Sequence, residues 1–146
     1  MTSTTHDAAF ARGGSLAAFG PAAHAMLRIG AGLLFMQHGA QKLFGMFGGM
    51  GPSGGTVPLI SQFGLAGVIE FFGGLLIVLG LFTRPVALVM ALEMLVAYFQ
   101  AHFPQGGWPI QNKGELPLLF MLVWLFLAGN GAGPASLDAH RGPRPL

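Results

Sequence analysis

Four apolar segments, separated by stretches rich in glycine, proline and polar residues, run along this 146-residue chain. Each approaches the roughly 20 mainly apolar residues that an α-helix needs to cross a hydrocarbon core of about 30 Å. The pattern therefore predicts an all-α protein, a four-helix transmembrane bundle. The predicted spans are about 21–44, 63–82, 85–103 and 112–129.

The connections between the segments predict how neighbouring helices pair. Only GLFTRP joins the second span to the third, so these two helices should form a tight antiparallel hairpin in which Arg84 and Pro85 begin the third helix. The fourth segment becomes long enough if its helix begins near Asn112, because Asn112 and Glu115 have capping-box spacing.

The predicted organisation is a single membrane domain at 21–130, between a flexible N-terminal segment, 1–20, and a loosely attached tail, 131–146. Basic residues in short loops mark the cytoplasmic side of such a bundle. They divide into Arg12, Arg84, Arg141 and Arg144 on one side, and Lys42 and Lys113 on the other. We expect a bacterial inner-membrane protein with both termini cytoplasmic.

Composition strengthens this interpretation and excludes several classes of function. Only 8% of the residues are charged, against about 25% in an ordinary soluble domain, and 53% are hydrophobic. We therefore expect the protein to lie in a lipid bilayer. The net charge is +2 without a basic cluster, which argues against nucleic-acid binding. The absence of cysteine excludes disulfides, cysteine nucleophiles and thiolate ligation of iron–sulfur clusters.

Ionisable residues inside the spans are candidates for chemistry, because a central charge costs roughly 2.5 to 3.5 kcal/mol to insert and normally faces a partner. Gly67, Glu70 and Gly74 share one helical face, so Glu70 should point at a neighbouring helix. The two glycines could pack within one bundle or between copies in a homo-oligomer.

Arg28, Glu70 and Glu93 form the first candidate cluster. Counting about 1.5 Å per residue places Arg28 and Glu93 at nearly equal depth, with Glu70 about one turn further out, so one arginine could serve two carboxylates. With two acids for one base, one carboxylate would handle protons, and we predict these three residues as catalytic. The alternative is that the buried charges only specify which helices pair.

A second candidate cluster lies toward the outer ends of the helices. Two histidines at similar depth on different helices could hydrogen-bond a quinone carbonyl or ligate a haem or a metal, although histidines at helix ends are most often simply solvated. Quinone is the favoured ligand and haem the less favoured one; no metal site is predicted. The predicted cofactor-binding residues are His38, Lys42, His102, Asn112 and Glu115.

Three stretches resemble the DoxX family of small four-span membrane proteins over roughly residues 27–139. They are LRIGAGLLFMQHGAQKLFG at 27–45, GVIEFFGGLLIVLGLFTRP at 67–85 and NKGELPLLFMLVWLFLAGNGAGPASLDA at 112–139. The resemblance implies a four-helix bundle with redox associations, since relatives include the membrane subunit of an archaeal thiosulfate:quinone oxidoreductase and a bacterial membrane component linked to thiol and superoxide defence. The matching polar positions are Arg28, His38, Lys42, Glu70, Arg84, Asn112, Glu115 and Asp138.

The favoured hypothesis is an inner-membrane redox subunit that binds a quinone and receives electrons from a protein partner. Two other classes stay open. The chain could be a non-catalytic scaffold whose charges specify helix pairing, or a small proton-coupled transporter.

Overall fold

The computed structural model describes residues 14–141 as an all-α protein, as predicted. Its four main helices are α1 (Gly14–Phe44), α2 (Gln62–Leu79), α3 (Thr83–Gln105) and α4 (Glu115–Asn130). The first three are long and apolar enough to cross a membrane, whereas α4 is apolar but has only 16 residues. Single helical turns occur at Met46–Gly48, Pro109–Asn112 and Leu137–His140.

Two predicted boundaries differ from the structure. Residues 14–20 of the predicted flexible segment are already helical, and Pro21 lies inside α1; residues 1–13 are outside the described part of the chain. The predicted start of the fourth helix near Asn112 is wrong. Lys113 has a left-handed backbone (φ 58°) that ends the turn Pro109–Asn112, so α4 begins only at Glu115.

Glycines set the spacing between α1 and α2. A Cβ added at Gly39 would lie 2.4 Å from the backbone nitrogen of Phe71, and one added at Gly74 would lie 2.9 Å from the carbonyl oxygen of Gly32. The backbones therefore approach closely along a face of small residues, as is common in membrane helix pairs. Gly67 and Gly74 pack against α1 of the same chain.

Large side chains fill the interface between α3 and α4, which pack along most of their length. Trp124 is completely buried and stacks on Phe120 with ring centroids 5.7 Å apart. The ring of Phe35 on α1 packs edge-on against Trp124, with ring centroids 5.1 Å apart. The core continues through Ala87, Met90, Ala91, Met94 and Leu127. The molecule thus consists of two tightly packed antiparallel pairs, α1–α2 and α3–α4.

Residues 131–141 are fastened to the bundle, which corrects the expectation of a loosely attached tail. The Arg28 side chain donates hydrogen bonds to the carbonyl oxygens of Ile77 (2.6 Å) and Ala135 (2.5 Å). Asp138 accepts hydrogen bonds from the backbone N–H groups of Phe82 and Thr83, both at 2.9 Å. We call this end of the bundle the tail end, and the opposite end, with residues 45–61 and 106–114, the loop end.

Candidate functional site

A cavity of about 950 Å³ lies between the two helix pairs, in the half of the bundle nearer the loop end. Its deep wall is apolar and includes Phe35, Met94 and Phe120. Its volume is at the upper end of the range that small-molecule pockets occupy. The polar side chains of the lining are His38, Gln41, Lys42, Gln62, Glu70, Glu93, Gln100, His102 and Lys113.

Lys42 and Glu70 form an ion pair in the cavity wall. The Lys42 Nζ donates to Glu70 Oε1 at 2.8 Å and to Oε2 at 2.6 Å, and their side chains are only 13% and 5% exposed. The prediction that Glu70 faces a neighbouring helix is confirmed, since this partner is on α1. An ammonium has three N–H donors, so Lys42 keeps one for a ligand in the cavity.

The predicted cluster of Arg28, Glu70 and Glu93 is not present. Arg28 is buried at the tail end and donates to the carbonyl oxygens of Ile77 and Val78, about two turns along α2 from Glu70. The prediction failed because depth was counted along each helix separately, and such a count does not include how α1 and α2 are aligned with each other. Arg28 does not line the cavity and joins α1, α2 and residue 135.

Glu93 reaches the same cavity from α3. Both of its carboxylate oxygens are inaccessible to solvent, and neither has a hydrogen-bond partner within residues 14–141. It shares this wall with Ala97 and Gln100, which follow it along α3. A buried carboxylate without a partner is costly unless it is protonated or meets a ligand, so Glu93 is the group of this cavity whose hydrogen-bonding capacity is unmet.

Two π-helical turns border the cavity, one in α2 at Ile69–Gly73 and one in α3 at Tyr98–His102. The first contains Glu70, and the second contains Gln100 and His102. A π-turn re-aims the side chains of a helix and is frequent at functional sites. Here both irregular turns supply polar groups to the same cavity.

The second predicted cluster is divided by the structure. His38 and His102 both line the cavity; His38 meets the ring of Phe120 edge-on, and His102 Nδ1 lies 3.0 Å from the carbonyl oxygen of Asn112. Asn112 is buried outside the cavity, where it bonds to Gly106 and Gly114. Glu115 is exposed at the start of α4 and also lies outside the lining.

The sequence analysis did not single out Gln62 or Lys113 as site residues, although both line the cavity. Gln62 follows the N-cap Ser61, and its side-chain amide donates a hydrogen bond to Gln100 of α3. The sequence feature that could have indicated Gln62 is its position as a polar residue at the start of an apolar helix. Within the described range, no group of three His, Asp or Glu side chains is arranged to hold a metal.

Comparison with known proteins identifies the family. A sequence model of the DoxX family matches residues 23–103. The chain belongs to the DoxX family. The resemblance read from the three sequence stretches is therefore confirmed, and so is the membrane character of the fold.

Among DoxX-type relatives, an uncharacterized protein of Haemophilus influenzae is 41% identical over 121 residues, covering 78% of this chain and 87% of the relative. A Bacillus subtilis protein named only provisionally as an oxidoreductase, CatD, is 31% identical over 77% of this chain and 82% of its own length. An uncharacterized membrane protein of Mycobacterium tuberculosis is 30% identical over 88% and 87%. No solved structure gave a significant match.

Proposed function

We propose that this DoxX protein is the membrane subunit of a redox system and binds a quinone in the cavity between its helix pairs. The observation that carries the proposal is the cavity itself, which combines an apolar wall with Lys42, Glu70 and Glu93. A quinone head has two carbonyl acceptors on an apolar ring and matches that combination. The provisional name of the Bacillus subtilis relative is in line with redox chemistry.

In this proposal the polar residues have separate roles in quinone reduction, which consumes two electrons and two protons for each quinol formed. Lys42 donates its remaining N–H to one carbonyl oxygen, held in place by Glu70. Glu93 exchanges protons with the bound head, and His38 and His102 supply further hydrogen bonds. A redox protein partner supplies the electrons.

The setting of this reaction is also part of the proposal. All three relatives named above are bacterial, which supports a bacterial plasma membrane. Arg84 and Arg141 lie at the tail end, where Arg84 donates to the carbonyl of Gly129 and Arg141 covers the ring of Phe82, whereas Lys42 lies toward the loop end. The excess of arginine supports a cytoplasmic tail end, with both termini on that side.

A fluorescence titration tests quinone binding, because buried Trp124 packs against Phe35 and Phe120 of the cavity wall. In a Trp108→Phe background Trp124 is the only tryptophan, since the chain has two. Adding a decyl-tailed ubiquinone in detergent should quench Trp124 fluorescence with saturation. Quenching without saturation, together with no quinone in a lipid extract of the purified protein, would favour the scaffold interpretation.

Glu93→Ala supplies the site-specific arm of this experiment. The lost polar contact should weaken quinone binding about tenfold, the equivalent of about 1.4 kcal/mol. Glu115→Ala is the matched control, because Glu115 is exposed and outside the cavity, and it should bind as the parent does. Equal affinities for the two variants would remove Glu93 from the proposed site.

A further inference from the structure

We infer that the ligand enters from the bilayer through a crevice between α2 and α3, and that the tail of a lipid-soluble quinone stays in this crevice. The inference rests on the proposed function and adds to it the class of substrate and the residues that select it. The crevice is formed by the apolar residues Phe63, Leu65, Val89, Leu92 and Val96.

The first observation is where the cavity lining is exposed. The five crevice residues line the cavity, and they are also between 47% and 60% exposed. By contrast, the four lining residues of α1 include no exposed side chain. On α4, Leu116 is the one large apolar lining residue that is exposed. Because the exposed apolar lining belongs mainly to α2 and α3, the cavity opens sideways between these two helices, on a surface that lipid covers in a membrane helix bundle.

The packing of α2 against α3 shows why a gap exists there. Near the turn that joins them the two helices touch, since a Cβ at Gly73 would lie 3.1 Å from the sulfur of Met90. The first turns of α2, Gln62–Val68, have little direct packing against α3. The side-chain hydrogen bond from Gln62 to Gln100 bridges the helices again at the loop end and bounds the crevice.

The polarity of the opening identifies what can pass through it. The crevice carries five apolar side chains, and the charged groups Lys42, Glu70 and Glu93 lie behind it in the cavity. A polar solute would have to leave water and cross hydrocarbon to enter here, which is unfavourable. An amphiphile with a hydrogen-bonding head and an isoprenoid tail fits both regions at once.

Blocking the crevice distinguishes tailed from tail-less ligands. In the Trp108→Phe background, Val96→Phe should weaken binding of decyl-tailed ubiquinone about tenfold, because the larger ring displaces part of the tail from the apolar crevice. Binding of ubiquinone without a side chain should stay within about twofold, because the head site is unchanged. This second ligand also shows that the variant is folded.

The matched control is Val68→Phe, which makes the same substitution at an exposed position of α2 outside the cavity lining and should change neither affinity. Leu92→Phe with the control Leu95→Phe repeats the design one turn away. If Val96→Phe weakens the binding of both quinones equally, or does not weaken the binding of the tailed one, the lateral entry is refuted. The proposal that the cavity binds a quinone is not affected by either result. Absence of saturable quenching by either quinone in the parent would refute the proposed function itself.

Discussion

Lys42 and Glu70 form the one ion pair within residues 14–141, and it joins α1 to α2 beside the cavity. Removing one member of such a buried pair is more costly than removing both, because it leaves the other charge without its partner. The pair therefore has two effects that can be measured separately. It holds the helices together, and it fixes the position of the Lys42 ammonium in the cavity wall.

Glu70→Gln should lower the free energy of unfolding by about 3–5 kcal/mol, because the Lys42 ammonium loses its counter-charge. The double variant Lys42→Met with Glu70→Leu should recover most of that loss. Thermal melting in detergent measures both, with Glu115→Gln as the exposed control. A double variant no more stable than Glu70→Gln would contradict this account of the pair.

At the residue scale, the sequence identified most of the charged residues of the site but not their pairing. Glu70, Glu93, His38, Lys42 and His102 all line the cavity as members of the predicted clusters. A charged residue in an apolar helix is costly in lipid, so each such residue can be recognised in the sequence as a candidate for a functional site. Which charges meet depends on how two helices are aligned, which depth counting does not determine.

At the element scale, the alignment of α1 against α2 can be read from glycines that are spaced seven residues apart on each helix. These are Gly32 and Gly39 on α1, and Gly67 and Gly74 on α2. They face one another in the structure, Gly39 near Gly67 and Gly32 near Gly74. Helical side chains lean toward the N-terminus of their own helix, so on antiparallel helices Lys42 and Glu70 lean toward each other. Matching the two glycine pairs would have predicted the ion pair.

Gly39→Ala tests this close contact. The added methyl would lie 2.4 Å from the backbone nitrogen of Phe71 and 2.7 Å from its Cβ, so α1 and α2 must separate. We expect a loss of about 1–3 kcal/mol in the free energy of unfolding, typical of overpacking.

The matched control is Gly30→Ala, where an added Cβ meets nothing within 4 Å. It should be neutral or more stable by up to about 1 kcal/mol, because alanine favours helix. Chemical or thermal unfolding in detergent provides the comparison. Equal stability of the two variants would show that α1 and α2 are not held at this distance.

At the scale of the whole molecule, the two ends of the bundle have different roles. The loop end contains the cavity, whereas the tail end is closed by Arg28 and by Asp138, which caps the start of α3. The sequence predicted a tail from residue 131 but not its attachment. The contacts join residues more than 50 positions apart, such as Asp138 with Phe82, and no local pattern encodes them.

The capping contact makes stability depend on pH. Partial burial acts to raise the pKa of Asp138, but hydrogen bonds from the backbone of Thr83 and Phe82, with the charge of Arg141, outweigh it and hold the pKa below the ordinary 3.8. A carboxylate whose pKa is lowered by folding stabilises the folded state fully above its unfolded pKa. That contribution is lost as the pH falls through the folded pKa.

Asp138→Asn should therefore be less stable than the parent near neutral pH, and the difference in melting temperature should shrink as the pH falls below about 4. Taking the difference between the two proteins cancels groups that both contain. Glu115→Gln, which changes an exposed carboxylate, serves as the control. A difference that is constant with pH would mean that the ionised form of Asp138 contributes nothing to the attachment.

The short α4 has a consequence for the lipids around the protein. Its 16 residues rise only about 24 Å, several ångströms less than a hydrocarbon layer of about 30 Å, while α1 beside it is much longer. Such a hydrophobic mismatch is relieved by local thinning of the bilayer, at a fraction of a kcal/mol per ångström. The annulus of lipid should accordingly be thinner beside α4 than beside α1, which favours shorter acyl chains on one flank of the molecule.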